Sequence, residues 1–476
     1  SASNNFEIVS FTAPATGQYT IRVTRNSSGN GGSELGGNLL GIAWGKLANY
    51  LPDVRRNTAD GWTSSLYVRN DDAEPRTAKV TFFNADGSYN TEASTALNPD
   101  ALWNPVPPNS WQGSALVDGS EDLSVVVAQE RTGGTYTHEA YPGVGNPTTG
   151  VRVPIFQKNN SGIFGDLFVQ NAGVVDIKVD LQFFASTGLS PTCNDYRNFT
   201  VKPGAALKIP ASDLTSANSC DVGATFVGSV QVNNSENQPL AIASTQYKDS
   251  GGVSQLFETS NTQPPATTLY APLVQNNNAS NLSGLVLNRI NAGTFNVRYY
   301  NKDTGAECAN QLRLGSNPQV IYPALPLPTP PATSPCPTVM SAKFDSGSVM
   351  VANVNQLKTG SNAATYAALS SASKVAIVAK VRTDNNWGDG FVIANYNSVA
   401  ANITVRLYNA DGTLNATPIN NQSLGANRLK IVLLGDIPAN FNGSAVITAD
   451  QPVAVTANSL QSGGGDILGS YPANQR

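Results

Sequence analysis

Apolar and polar residues alternate along short stretches of this chain, and turn-forming residues separate the stretches. In DIKVDLQFF, Ile177, Val179, Leu181 and Phe183 share one face, while Lys178, Asp180 and Gln182 take the other. NITVRLY repeats the pattern with Ile403, Val405 and Leu407. A period of two predicts strands with one face buried and one solvated, as in antiparallel sheets. No segment keeps a helical period for more than a few turns, so the expected fold is all-β.

The strands end in a recurring turn. FFNADGSYN (82–90) returns almost intact as LYNADGTLN (407–415), with looser versions FFASTG at 183 and YYNKDTG at 299. Asp supplies a local side-chain hydrogen bond and Gly accepts positive φ. Each turn lies in a longer unit that begins with a connector: YLPDVRRN (50–57), VPIFQKNN (153–160), APLVQNNN (271–278) or VAKVRTDNN (378–386). A strand follows (SSLYVRN, DLFVQN, SGLVLN or DGFVIAN), then the turn strand and a long excursion. A Gly-Ser strand comes next, WQGSALV at 111, FVGSVQV at 226, SGSVMV at 346 and FNGSAVI at 441, before an apolar closing strand such as SVVVAQ.

Turn-to-turn spacings of 101, 116 and 108 residues are too long for a solenoid and suit tandem β-sandwiches. The expected organisation is a tandem array of four antiparallel β-sandwiches, Ig-like or jelly-roll-like, at 47–147, 148–265, 266–372 and 373–476. A partial sandwich at 1–46 precedes them. The third copy is expected to be about ten residues shorter after its Gly-Ser strand. It also carries the proline-rich excursion LPLPTPPATSPCP (325–337).

Composition narrows the function. The net charge is −4 and no basic block exists to neutralise a phosphate backbone, which argues against nucleic acid. No apolar run reaches the roughly 18–20 residues of a transmembrane helix. Cys193 and Cys220, then Cys308 and Cys336, fall at matching places in two copies, without the short spacings or histidines of a zinc site. They are expected to form disulfides 193–220 and 308–336, although four cysteines allow three connectivities. Each closes a loop of about 28 residues, worth roughly 3–4 kcal/mol in the chain-entropy description. Disulfides imply an extracellular or cell-surface location. A chain opening at Ser1 reads as a processed product.

The first 46 residues do not fit the repeat. FTAPATGQYTIRV and LLGIAWGK resemble the closing strands of the jelly-roll, pre-peptidase-C domains that follow secreted subtilisin-like peptidases. The later units resemble the repetitive β-sandwich arrays of large bacterial surface proteins. Together these resemblances imply the C-terminal part of an exported precursor.

Candidate chemistry is sparse. His138, in TYTHEAY, is the only histidine and is expected on a surface or linker; no G-x-S-x-G elbow occurs. Asp86, Asp303 and Asp411 lie in the repeated turn, where turn chemistry outweighs calcium. Glu121 and Asp122 are adjacent, so on a strand they point to opposite faces and cannot work as a carboxylate pair. Trp44, Trp62, Trp103, Trp111 and Trp387 are read as packing residues, with a sugar platform as the alternative. Sequons at Asn26, Asn159, Asn198, Asn278, Asn281, Asn402 and Asn415 leave a glycan possible.

No catalytic, cofactor-binding or metal-binding residue is nominated, so an enzyme is not expected. The expected role is an extracellular structural protein that self-assembles into a homo-oligomer, filament, sheath or layer. An adhesin or carbohydrate-binding tail of a peptidase precursor is the alternative. Three N-terminal strands cannot close a sandwich, and the tail GDILGSYPANQR matches the start of a connector with no module after it. Candidate assembly contacts are therefore Phe6, Ile8, Phe11, Tyr19, Ile21, Val23, Ile467, Leu468 and Tyr471, acting by β-augmentation or end-to-end packing.

Overall fold

The chain divides into two compact units, Ser1–Gly45 and Lys46–Arg476. The computed structural model describes residues 48–475 except 119–121, 132–136, 187–190, 194–198, 216–219, 251–252, 262–263, 290–292, 316–318, 322–335, 359–361, 434 and 461–467. All described residues therefore belong to the second unit.

The first sandwich holds β1 (Ala48–Arg56), β2 (Trp62–Asn70), β3 (Arg76–Asn84), β4 (Tyr89–Leu97), β5 (Leu102–Trp103), β6 (Trp111–Asp118), β7 (Leu123–Arg131) and β8 (Thr137–Pro142). Sheet β1-β6-β3-β4 faces sheet β5-β2-β7-β8. The second sandwich contains β9 (Gly150–Lys158), β10 (Ile163–Asn171), β11 (Ile177–Ala185), β12 (Pro191–Cys193), β13 (Phe199–Val201), β14 (Ala206–Pro210), β15 (Phe226–Asn234), β16 (Leu240–Ser250) and β17 (Val253–Asn261). Its sheets are β12-β11-β15-β9, with β13 also on β11, and β14-β10-β16-β17.

The third sandwich runs through β18 (Ala266–Asn278), β19 (Asn281–Arg289), β20 (Gly293–Asn301), β21 (Glu307–Gly315), β22 (Gln319–Ile321), β23 (Val339–Lys358) and β24 (Asn362–Ala367). The fourth contains β25 (Ser373–Arg382), β26 (Gly390–Asn395), β27 (Ala401–Asn409), β28 (Leu414–Leu424), β29 (Leu429–Val432), β30 (Asn442–Leu460), β31 (Leu468–Pro472) and β32 (Asn474–Gln475). Here β23 and β30 are long enough to serve both sheets of their sandwiches. The fold is all-β, as the alternation predicts.

The first strand of every sandwich has a register slip at the corresponding position: between Leu51 and Val54, Val153 and Phe156, Ala271 and Val274, and Val378 and Val381. Pro52, Pro154 and Pro272 sit in three of these bulges, where a missing N–H costs no ladder bond. A tyrosine from the last strand closes the bulge in three sandwiches. Tyr141 donates to Asp53 O, Tyr366 to Leu273 O at 2.6 Å and Tyr471 to Lys380 O at 2.8 Å.

That contact corrects the reading of the tail. Leu468–Pro472 is no orphaned connector; it is the counterpart of β8 in the fourth sandwich, antiparallel to β30 as β8 is to β7. The third copy needs a second correction. Strand β18 pairs with Val339–Ala342 just as β1 pairs with Gln112–Ala115, so Ser341 is the counterpart of Ser114. The SGS at 346–348 lies inside β23 and is unrelated. The spacing from Ser341 to Met350 then equals that from Ser114 to Leu123 and from Ser444 to Val453, so no segment is missing. In the other copies the glycine is imposed by close approach: a Cβ on Gly443 would lie 2.0 Å from Tyr408 O. Met340 replaces it in the third copy, which removed the signature from the sequence.

The four sandwiches close on themselves. Strand β1 packs on β10 and β16 of the second sandwich, β9 on β19 and β23 of the third, β18 on β26 and β30 of the fourth, and β25 on β2 and β7 of the first. The last strands meet inside this cycle: β8 touches β17 and β31, and β24 touches the same two. One heterologous contact, repeated four times with a rotation that closes, gives a ring. Closure also covers sheet edges that an open array would expose. It explains why the second and closing strands read as continuous apolar runs. Residues Leu123–Gln129 of β7 and all of β26 are buried, because their sheets have a sandwich core on one face and a neighbour on the other.

Both disulfides form, with Cα–Cα separations of 5.2 Å for Cys193–Cys220 and 5.1 Å for Cys308–Cys336. Each ties an outer edge strand, β12 or β21, to the chain leading into the Gly-Ser strand.

Candidate functional site at the ring closure

The repeated turn is a docking element between sandwiches. Gly87 and Gly412 both have positive φ, +82° and +88°, and Asp86 and Asp411 each accept from the backbone N–H two residues on at 2.9 Å. These bonds, first of all those from the Ser88 and Thr413 side chains, hold both carboxyls below the usual range. The same glycines touch the next sandwich. A Cβ would lie 2.5 Å from Lys202 Cβ at Gly87, 2.0 Å from Ala426 O at Gly305 and 2.3 Å from Pro99 O at Gly412. Leu102 N–H donates to Ala410 O at 2.9 Å across the last of these contacts. The aspartates therefore work as turn acceptors; Asp303 pairs with Lys302 at 2.6 Å. Among the described residues no three His, Cys, Asp or Glu side chains converge as a metal site.

The joint between the first and fourth sandwiches carries the densest polar cluster. Lys380 occupies the bulge of β25, and its Nζ donates to Asp389 Oδ2 at 2.9 Å and to Ser459 Oγ at 2.6 Å. Ser459 donates to Asp389 Oδ1 at 2.7 Å, and its Oγ lies within hydrogen-bond distance of His138 Nε2, at 3.1 Å. Asp389 Oδ2 also accepts from the Arg382 N–H at 3.0 Å. Trp387 packs edge-on against His138 at 4.5 Å and lies under Lys380 at 4.3 Å. All four polar residues are at least 98% buried.

Burial, then the charges of Lys380 and Arg382, push His138 well below its ordinary range, although a backbone hydrogen bond involving Gln129 opposes this. Burial also lowers Lys380, against the pull of Asp389. Further contacts flank the cluster. Arg69, which pairs with Asp71 and Asp100, donates to Ser444 Oγ at 2.8 Å, and Asn474 donates to Ser124 Oγ at 2.7 Å. The hydroxyl of Ser459 is enclosed and its proton is directed at a carboxylate. The arrangement is suited to fastening two sandwiches together.

The sequence reading placed His138 on a surface or linker; it is instead a fully buried residue of β8 facing the fourth sandwich. Of the assembly candidates, Leu468 and Tyr471 are buried within their own chain. Phe6, Ile8, Phe11, Tyr19, Ile21, Val23 and Ile467 lie outside the described residues, as does the stretch resembling a pre-peptidase-C domain. Trp62, Trp111 and Trp387 are buried and Trp103 half-buried, while Trp44 falls outside. Asp122 pairs with Arg76 at 3.5 Å; Glu121 falls outside. Asn159, Asn402 and Asn415 are exposed, Asn278 and Asn281 half-buried, and Asn26 and Asn198 outside.

Sequence reasoning did not single out Lys380, Asp389 or Ser459. A signal was available: the connectors read LPDV, VPIF, APLV and VAKV, so the first and last copies place a charge where the middle two place an apolar residue.

These features define a closed ring of four β-sandwiches fastened by buried polar contacts. No family model matches the chain, and no curated protein is significantly similar to it. Among solved structures, the chain is similar to a tetra-tandem repeat in the extending region of a large adhesion protein. The two are 13% identical, the match covers 90% of this chain and 99% of that chain, and the TM-score is 0.10. A score that low carries no argument about the arrangement of the sandwiches or their role.

Proposed function

We propose that the chain is a non-catalytic extracellular protein of structural or adhesive type, in which four sandwiches act as one rigid body. The observation that carries this reading is the use made of the chemically capable side chains. Lys380, Asp389, Ser459 and His138 are sealed in a joint, where they bond to one another. The two disulfides, each tying an outer edge strand, suit an oxidising compartment. Burial of Trp62, Trp111 and Trp387 takes three of the five tryptophans out of reach of a sugar.

Self-assembly into a filament, sheath or layer is the finer form of the proposal. The joint between sandwiches is heterologous, but it closes after four copies within one chain, so growth has to use other surfaces. The apolar positions of FEIVSFTAPATGQYTIRV, from Phe6 to Val23, are candidates for that contact. Electron microscopy of native material beside a chain truncated before residue 47 tests this. Filaments or sheets lost on truncation support it, and single particles in both samples overturn self-assembly through that segment. Alkylation of native material without reductant tests the location: modified cysteines would overturn the extracellular assignment.

A further inference from the structure

The four sandwiches can be compared at the same outer edge, the strand after the repeated turn. In the second it is split into the three-residue strands β12 and β13, and Cys193 is tied to Cys220. In the third, β21 is tied through Cys308 to Cys336 and has Arg313 in its sequence. In the fourth, β28 contains Pro418 and slips register with β27 three times. Prolines, bulges and charges are the usual means of keeping an edge strand from pairing with another chain.

The first sandwich has less of this protection. Strand β4, YNTEASTAL, is nine residues long and, among the described residues, pairs with β3 alone. It holds no proline, no cysteine and one charge, Glu92, which Lys79 of β3 neutralises at 2.6 Å. Its one register slip lies at its start, opposite Phe82 and Phe83. Asn90, Glu92, Ser94 and Ala96 are exposed, and Tyr89 retains 57% of its surface.

We propose that β4 is an edge-pairing surface and that its partner is β4 of a second copy of this chain. The strand is self-complementary. Antiparallel pairing about a two-fold at Ala93 sets Thr91 opposite Thr95, Glu92 opposite Ser94, Asn90 opposite Ala96 and Tyr89 opposite Leu97. Threonine pairs are favourable and no like charges meet. The sheet β1-β6-β3-β4 would then continue without a break into its copy. This contact goes beyond the proposed role: it uses neither terminal segment, so it can fail or hold independently of assembly through residues 6–23.

Sedimentation velocity of the intact chain over a concentration series tests the proposal, with two variants at one exposed position. Ser94→Glu opposes Glu92 of the second copy on both sides of the two-fold and should weaken the dimer about tenfold; Ser94→Lys should strengthen it comparably. Within one chain Ser94 lies opposite Lys79, so the thermal stability of the monomer should move the other way, up for Glu and down for Lys. A folding defect therefore cannot imitate the expected result. A chain that stays monomeric throughout, or a dimer indifferent to both variants, overturns the proposal. So does a dimer that forms only after residues 1–46 are removed, because that segment would then be what covers β4 in the intact chain.

Discussion

Ser459 Oγ lies 3.1 Å from His138 Nε2, although 321 residues separate them. One belongs to the fourth sandwich and the other to the first, so the contact exists only because the ring closes. A break in this joint should therefore be felt by the whole unit.

Lys380→Met should destabilise the unit by about 3–5 kcal/mol, because it leaves Asp389 buried without its cation. Lys380→Met with Asp389→Leu removes both charges and should recover much of that loss. Chemical denaturation of the two variants measures the difference. Equal losses would mean that the pair contributes little beyond packing.

The joint should be sensitive to acid. His138 is held well below its ordinary range chiefly by burial, with Lys380 and Arg382 adding repulsion. The unfolded chain therefore takes up this proton more readily, with a pKa near 6.5. The contribution of His138 to stability is complete above that value and falls as pH drops through it, by at most about 1.4 kcal/mol per pH unit. Unfolding curves between pH 7 and pH 5 should show the loss, and His138→Gln should remove this part of the slope. An unchanged slope in the variant would assign the acid sensitivity to carboxylates.

Gly412→Ala combines strained positive φ with a Cβ 2.3 Å from Pro99 O, a backbone atom that cannot swing aside. The expected cost is roughly 1–3 kcal/mol, with amide exchange speeding up at Leu102, whose N–H bonds Ala410 across the same joint. Gly435, whose Cβ would meet nothing within 4 Å, is the control, and Gly435→Ala should be close to neutral. A Gly412 variant as stable as the control would show that the turn does not bear on the joint.

Tyr471→Phe removes the hydroxyl bonded to Lys380 O and should cost about 1–3 kcal/mol, since a buried carbonyl loses its partner. Tyr366→Phe should cost a similar amount by the same mechanism in the third sandwich. Thermal melts of both variants measure this. A neutral Tyr471 variant would mean that the last strand is held by its ladder to β30 alone.

Much of the architecture was legible in local pattern. The alternation of Ile177, Val179, Leu181 and Phe183 marks β11 because side chains on a strand repeat every two residues, and all four are buried. Register was harder. The third Gly-Ser strand was misplaced because Met340 stands where the other copies need glycine, and an unrelated SGS follows a few residues later. The tail was mistaken for the start of a connector because its Tyr471-Pro472 step matches Tyr141-Pro142 in THEAYPGVGN (137–146), the stretch that leads into the second unit. In the structure that step belongs to the end of the preceding sandwich, where the Tyr471 hydroxyl meets the bulge.

The sequence by itself determined strand identity, the turn and the fourfold repetition, since each depends on residues close together in the chain. It also carried a clue to burial, because runs such as SVVVAQ are apolar on both faces. What covers the second face is set by the angle between sandwiches, and that angle is a sum of many weak contacts between distant residues. Only the tertiary structure decided that β25 returns to β2 and β7, making an array into a ring and turning an apparent linker histidine into part of its closure.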